Sequence, residues 1–534
     1  MSPLSLVPPL AVFIIGFITR RMRFALLVGI VIGALISTQV DLLMSVQLVL
    51  HHFMHALELD QGESITSVIL NDRMSILICL IFFGILTEII CESNAAVAFQ
   101  NYSRSFVSDK RSAETSCILL SFLLCIDDYL SAIVVGSVMR PIADRFSIAR
   151  AKLAYLCNSL SSPMAAVIPF SSWSAAIVGI LMESGISEHG GEAVLIGSPY
   201  GVFLNMIPYT LYSLVLIVSV IFIVRKNVSF SLMKQCEVEA SSHVSSKALC
   251  QNESEGELNT SAFDFTLPIA SLLTGILLGF LYSGGYTLFG GEATFVQAIL
   301  SAKVSQSLLM ATLAATVISL AYYLARGTYT LRDCPGLIVR GSLLMISAIL
   351  MLALTWTLTG LLKDELHTGA YIASLIGSWI PFVLLPLIVF WLTCGGFFLI
   401  GSAWGTMAIL MPIVVSMLVA MNDSLVPQDV FAVPLLLPTL AAVVSGSVFG
   451  NHVSLISDTS LMASTSTNCN TLEHFKTKFM YALPVFTSSS LGFLIAGIYP
   501  EGGAILPLSV AMATAIAFTM AWQQIANRQE AFSL

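Results

Sequence analysis

The chain has 534 residues, 57% of them hydrophobic and only 10% charged, too little charge to clothe a soluble protein of this size. Acidic residues outnumber basic ones by 31 to 23, for a formal net charge of -8, which excludes a basic nucleic-acid surface. The ten cysteines form no C-x-x-C and no H-E-x-x-H occurs, so zinc and disulfide frameworks have no support.

Apolar runs of about 17–25 residues, the length that crosses a bilayer core, recur throughout and predict an all-α polytopic membrane protein. The first, "PLAVFIIGFIT", precedes Arg20, Arg21 and Arg23 with no positive charge before it. A secretory signal has the reverse order, so this reads as a retained span. Cytoplasmic loops are rich in Lys and Arg, which places these arginines inside. Residues 41–73 carry Asp41, Glu58, Asp60, Glu63 and Asp72 against Arg73 alone and suit the outside. Arg104, Lys110 and Arg111 return inside.

Residues 113–139 then pose a problem. They look like one span, yet Arg140, Arg145, Arg150 and Lys152 follow against a single Asp144, so both ends belong inside. A re-entrant hairpin with "CIDDY" (Cys125 to Tyr129) at its tip satisfies both ends. Non-helical backbone at that depth is tolerated only inside protein or beside a water-filled cavity.

Residues 153–182 cross out to Glu183, Glu188 and Glu192, and 200–224 cross back to Arg225 and Lys226. A Ser-, Glu- and Asn-rich stretch, 227–263, reads as a flexible cytoplasmic connector. It divides an N-terminal repeat (1–226) from a C-terminal one (264–500), with a final span and tail over 501–534. In the second half, spans near 265–285, 305–325 and 336–361 lead out to Lys363, Asp364 and Glu365. Residues 381–421 form a second hairpin around "GSAWGT" (401–406). Residues 430–467 cross inward to Lys476 and Lys478, 479–499 cross out, and 504–525 return. Two inverted repeats, each with a re-entrant hairpin and an interrupted helix in some 11–12 membrane elements, are the plan of secondary transporters. Their sites lie at the midplane, where discontinuous helices meet.

The interrupted spans read "NSLSSPMAAVIPFSSWS" (158–174) and "GSVFGNHVSLISDTS" (446–460). Pro163 and Pro169 are expected to break the first, and Gly446 and Gly450 to loosen the second. Aligning "PFSSWS" with "LISDTS" pairs Ser171 with Ser457 and Ser172 with Asp458. A carboxylate at the bilayer centre costs about 2.5–3.5 kcal/mol, so Asp127, Asp128 and Asp458 need partners. No Lys or Arg falls between 111 and 140, 152 and 225, or 363 and 476, and the partner is therefore expected to be mobile, a metal cation or a proton. Asp127 or Asp128 has a second reading as the N-cap of the returning half-helix. His452 reads equally as a buried neutral ring or a proton relay. His51, His52 and His55 read as an amphipathic external segment.

The blocks "CIDDYLSAIVVGSVMRPIADRFSIARAKLAY" (125–155), "IPFSSWSAAI" (168–177), "GSAWGTMAILMPI" (401–413) and "GSVFGNHVSLISDTS" (446–460) resemble the NhaC-type sodium/proton antiporter family. That resemblance implies an ion-transporter-like fold and secondary active transport, with no enzymatic role and no cofactor. Members of the family commonly carry Gly-Asp-His then Cys-Ser-Pro, where this chain has Gly450-Asn451-His452 and Val453-Ser454-Leu455. The expected site comprises Asp127, Asp128, Asn158, Ser171, Ser172, Ser402, Thr406, Asn451, His452, Ser454, Asp458 and Thr459. Asp128 and Asp458 are the expected ligands of Na+, and desolvated carboxylates hold protons more tightly and can exchange them for a cation. The expected partners are Na+ and H+, or a small organic solute such as an amino acid or carboxylic acid, and the lipid bilayer of a plasma (bacterial inner) membrane. Assembly as a homodimer is left open.

Overall fold

The computed structural model describes residues 3–19, 21–57, 59, 68–93, 107–188, 194–247, 261–376, 381–422, 428–455 and 457–533. Arg20, Glu58, Asp60, Glu63, Arg104 and Glu192, which entered the charge count, lie outside them. Among the described residues, eight helices are long and apolar enough to cross a membrane, and the chain is an all-α polytopic membrane protein.

In the first half the helices are α1 (Val7–Thr19), α2 (Met22–Ser37), α3 (Leu42–Ala56), α4 (Asp72–Glu92), α5 (Lys110–Leu123), α6 (Asp128–Arg145), α7 (Arg150–Ala165), α8 (Ser172–Glu183), α9 (Pro199–Met206) and α10 (Leu211–Lys226). After α11 (Ser231–Lys247), the second half holds α12 (Ala262–Ser283), α13 (Phe295–Leu300), α14 (Val304–Ala325), α15 (Cys334–Gly360), α16 (Thr368–Ile376), α17 (Leu385–Ile400), α18 (Ala403–Met421), α19 (Leu436–Val453), α20 (Asp458–Ser466), α21 (Thr471–Ile498) and α22 (Ile505–Ser533). Both halves contain the same run: a hairpin of two packed helices (α5–α6, α17–α18), then a helix broken in two (α7–α8, α19–α20). Three two-residue parallel strands, Ile186–Ser187, Leu195–Ile196 and Gln428–Asp429, tie the halves together.

The breaks have local causes. Helix α17 stops where Gly401 takes φ +75, a left-handed conformation that a side chain would strain. Helix α7 runs through Pro163 and ends only at Ala165, so the break belongs to 166–171 and Pro169. Gly446 and Gly450 do not loosen α19, which is continuous to Val453. They let α17 approach: a Cβ on Gly450 would stand 2.1 Å from the Phe397 ring, and one on Gly446 2.6 Å from Thr393 Cβ. The span expected over 200–224 is bent by 48° between Tyr209 and Leu211.

The connector is less loose than its composition suggests. Its helix α11 delivers Glu237 to Lys152, a residue counted in the sequence as a loop charge but only 1% exposed. Lys152 Nζ lies 2.7 Å from Glu237 and 2.9 Å from Glu114 of α5, and Lys110 adds 3.1 Å to Glu237. A buried ammonium needs such partners, and these pin the base of the first hairpin to α7 and to the connector. Burial pulls the Glu237 carboxyl up, but Lys152 and then Lys110 outweigh it and hold it below the usual range. Its contribution is therefore present above about pH 4.3, the ordinary Glu value, and fades as pH falls through the lowered one. Glu237→Gln should cost about 1.5–3 kcal/mol, the worth of a hydrogen bond to a charged group, read as a lower thermal midpoint at pH 7. The gap between mutant and native protein should close below pH 4.

Candidate functional site

Each break is followed by a helix whose first amides are capped by a side chain. Asp127 accepts from Leu130 N at 2.8 Å, Ser171 from Ser174 N at 3.0 Å, Ser402 from Gly405 N at 3.3 Å and Ser457 from Ser460 N at 3.3 Å. The caps Ser171 and Ser457 are the two residues that the repeat alignment set side by side. The four helix starts meet in pairs. Ser172 N donates to Ile126 O at 2.8 Å, joining the first hairpin tip to the start of α8. Tyr129 Oη donates to Asp458 Oδ2 at 3.4 Å, joining α6 to α20. The Trp173 and Trp404 rings lie 5.0 Å apart, joining α8 to α18. Helix N-termini carry partial positive charge, so the carboxylates at the starts of α6 and α20 lie where backbone dipoles favour them.

Asp127 and Asp128 are each 1% exposed. The cap uses Asp127 Oδ1, and Oδ2 has no hydrogen-bond partner. Asp128 accepts Ser162 Oγ at 2.9 Å on Oδ2, while its Oδ1 is likewise unpaired. Neither carboxylate meets a Lys or Arg among the described residues. Asn158 Oδ1 is also buried without a partner, and the Ser172 hydroxyl faces Asp127 without closing a full hydrogen bond. Buried oxygens of this kind are rarely left unsatisfied, and each is a hard donor of the type that suits an alkali cation or a proton.

Asn451 is the hub of the network. Its Nδ2 donates to Ser162 Oγ at 2.8 Å and its Oδ1 accepts Ser457 Oγ at 2.7 Å, so Asp128, Ser162, Asn451 and Ser457 form one chain across both halves. Asn158 Nδ2 reaches His452 O at 3.0 Å and Ser460 Oγ at 3.3 Å. Thr459 lies 3.1 Å from the Ser457 hydroxyl. His452 is engaged on both nitrogens, Nε2 with Ser159 Oγ at 2.9 Å and Nδ1 with Tyr212 Oη at 2.8 Å, and so bridges α7, α10 and α19. Thr406 donates to Ser402 O within its own helix, and Ser171 to Ala165 O; both hydroxyl hydrogens are spent on the backbone.

Unlike the other two acids, Asp458 is exposed, and the space it faces is a cavity of about 930 Å³ lined also by Arg21, Tyr129, Ser402, Trp404 and Ser454. A second cavity of about 770 Å³ lies at the far end of α8, lined by Asp72, Lys303, Lys363 and the ion pair Arg73–Glu183 at 2.8 Å. The 12-residue α8, about 18 Å long, runs from the first hairpin tip to this second cavity.

One expectation is corrected. Lys478, counted as a cytoplasmic loop charge, lies in α21 with 0% exposure, and its Nζ donates to Ser460 Oγ at 2.6 Å and Ser454 O at 3.4 Å. The site therefore does have a fixed basic group beside it, although Lys478 pairs with none of the three aspartates. Ser162, Ser460 and Lys478 were missed as site residues. The signal for Ser162 was its i, i+4 spacing from Asn158, and that for Lys478 was its place on the apolar stripe of His474, Tyr481 and Val485.

Over 504 residues the chain is 29% identical to an uncharacterized protein of Haemophilus influenzae, covering 93% of this chain and 91% of that one. The solved YdaH transporter of Alcanivorax borkumensis is similar at 14% identity over 80% of this chain and 84% of that one, with a TM-score of 0.48, too distant to carry an argument. Residues 164–498 match the model of the Na+/H+ antiporter family, a stretch that includes α8, the second hairpin, the broken helix with Asn451 and Asp458, and Lys478. The chain is a secondary transporter, and it belongs to the Na+/H+ antiporter family.

Proposed function

We propose that the chain exchanges Na+ for H+ across a bacterial inner membrane, with Asp127 and Asp128 as the exchange centre. The observation that supports this best is the pair of adjacent buried carboxylates, each with one oxygen without a closed hydrogen bond and neither paired with a Lys or Arg among the described residues. Either a proton or Na+ relieves that arrangement, and occupancy by one excludes the other. Asn158 Oδ1 and Ser172 Oγ are the further oxygens available to the cation. Asp458 acts at the entrance: it faces the large cavity and touches Tyr129, whose neighbour in sequence is Asp128. The cavity wall holds Arg21 and Arg23, which the charge rule puts inside, so the arrangement corresponds to an inward-open step of alternating access.

The cavity also favours a second reading. About 930 Å³ is far more than an ion requires and is within the range of small-molecule sites. A small zwitterion could present its ammonium group to Asp458 and its carboxylate to Arg21, with exchange at Asp127 and Asp128 driving it. Everted vesicles preloaded with a pH gradient discriminate the two. Dissipation on adding Na+ or Li+ alone supports cation exchange; dissipation that needs an added amino acid or carboxylic acid supports the second reading. A gradient indifferent to all of them sinks both.

A further inference from the structure

We propose that Trp173 and Trp404 form the cavity-side gate of the exchange centre, a pair of indole rings that must part before a cation or water from the large cavity reaches Asp128. The cavity is open and Asp458 on its wall is exposed, yet Asp128 is only 1% exposed. Something between the two is closed. Trp404 lines the cavity, and its ring packs on that of Trp173 with 5.0 Å between centroids and 45° between planes. Trp173 is 0% exposed, and its indole N–H faces the Asp128 carboxyl without closing a full hydrogen bond. The order of contact is therefore cavity, Trp404, Trp173, Asp128.

The sequence builds both sides of the gate in the same way. Ser171-Ser172-Trp173 and Ser402-Ala403-Trp404 each place an indole two residues after a capping serine, in the first turn of a helix that starts at a break. The capped starts fix where each ring sits. The rings come from opposite halves of the chain, so a shift of one half against the other acts directly on their contact. Helix α8 also holds the first hairpin tip through Ser172 N and Ile126 O, so Trp173 travels with the tip that carries Asp127 and Asp128. Opening costs Trp173 no closed hydrogen bond, whereas Tyr129, the neighbour of Asp128 on the cavity wall, is tethered to Asp458.

Two aromatic rings in contact make a barrier that water does not wet, the principle by which hydrophobic constrictions gate channels. Alternating access gives that barrier its use. When Asp128 faces the outside, the cavity side has to be shut. Otherwise the same carboxylate meets both aqueous sides and protons pass without cargo. The indole pair supplies this closure, and it lies where the two halves touch.

The inference rests on the Na+/H+ reading with Asp128 at its centre, and the experiment separates the two. Purified protein in liposomes is given a pH gradient in Na+-free medium with the membrane potential nulled, and an enclosed pH dye follows the decay. Na+-driven flux is measured on the same liposomes. Trp404→Ala and Trp173→Ala should lose the gradient several-fold faster than the native protein. Trp404→Phe and Trp173→Phe, which keep an aromatic ring in the contact, should hold it. A ring that served only packing would lower Na+-driven flux when removed and leave the gradient standing. Alanine variants as tight as the native protein overturn the proposal, and so do phenylalanine variants as leaky as the alanine ones. Should the alanine variants not reach the membrane, Trp404→Leu is compared with Trp404→Phe: the branched side chain should leak, and equal tightness overturns the gate. Native protein without any Na+-driven flux overturns the Na+/H+ reading itself, and this inference with it.

Discussion

Asp128→Asn should abolish exchange, with a loss of at least about 100-fold in cation-driven proton flux at matched protein level, the lower range for removing an acid–base group. The side chain keeps its size and can still accept from Ser162, but it can neither carry the exchanged proton nor offer a negative charge. Asp127→Asn is the internal comparison. Asn caps a helix about as well as Asp, so the bond to Leu130 N survives and the fold is undisturbed, while half the charge of the pair is lost. Exchange should be strongly reduced in Asp127→Asn. Asp127→Ala should in addition lower the thermal midpoint, because the cap is worth about 1 kcal/mol. Flux in reconstituted liposomes and a melting curve on the same preparations measure both. Native flux in Asp128→Asn removes the exchange centre from this position.

The second large effect is expected from Asn451→Asp. Asn451 donates to the Ser162 hydroxyl, which is thereby left to donate to Asp128. A carboxylate at 451 has no hydrogen to give and competes with Asp128 for the one that Ser162 carries. Asp128 then loses the Ser162 donor and gains a negative neighbour. Both changes favour its protonated form, so cation entry needs a higher pH and the profile of exchange moves toward alkali, by about one unit or more given the reach of a close like charge. Cation-dependent flux from about pH 6 to 9 measures this, a range that brackets carboxylates shifted by burial and like charge. Asn451→Gln, which keeps an amide donor, should leave the midpoint in place. An unshifted profile in Asn451→Asp means that the Asn451–Ser162–Asp128 chain does not act on exchange.

The parts of the fold that could be read from sequence were those governed by hydropathy and charge. The two hairpins and the broken helices follow from apolar length and from short polar breaks, with basic flanks marking the first hairpin and acidic ones the exit of the second. The candidate caps could be recognised because Ser and Asp before an apolar run have a local role, and the equivalence of Ser171 and Ser457 needs only a short alignment. What could not be read depends on neighbours distant in sequence. Gly446 and Gly450 resembled helix breakers because nothing local announces the Phe397 ring and the Thr393 side chain that need their room. Lys152 and Lys478 were assigned to loops because charge counting has no term for a buried lysine, and only the packing of α11 and α20 against them reveals their partners. Likewise, Asp127 and Asp128 look alike in sequence, and the start of α6 separates them into a cap with one spare oxygen and an acid held by Ser162.

The Arg73–Glu183 pair at the far end of α8 bears on how the transporter turns over. Helix α8 begins beside the first hairpin tip with Ser172 and Trp173 and ends at Glu183, so whatever moves its first turn also pulls on the pair at its other end. One helix thus links the hairpin of the buried aspartates mechanically to the wall of the second cavity, where α4 grips its far end through Arg73.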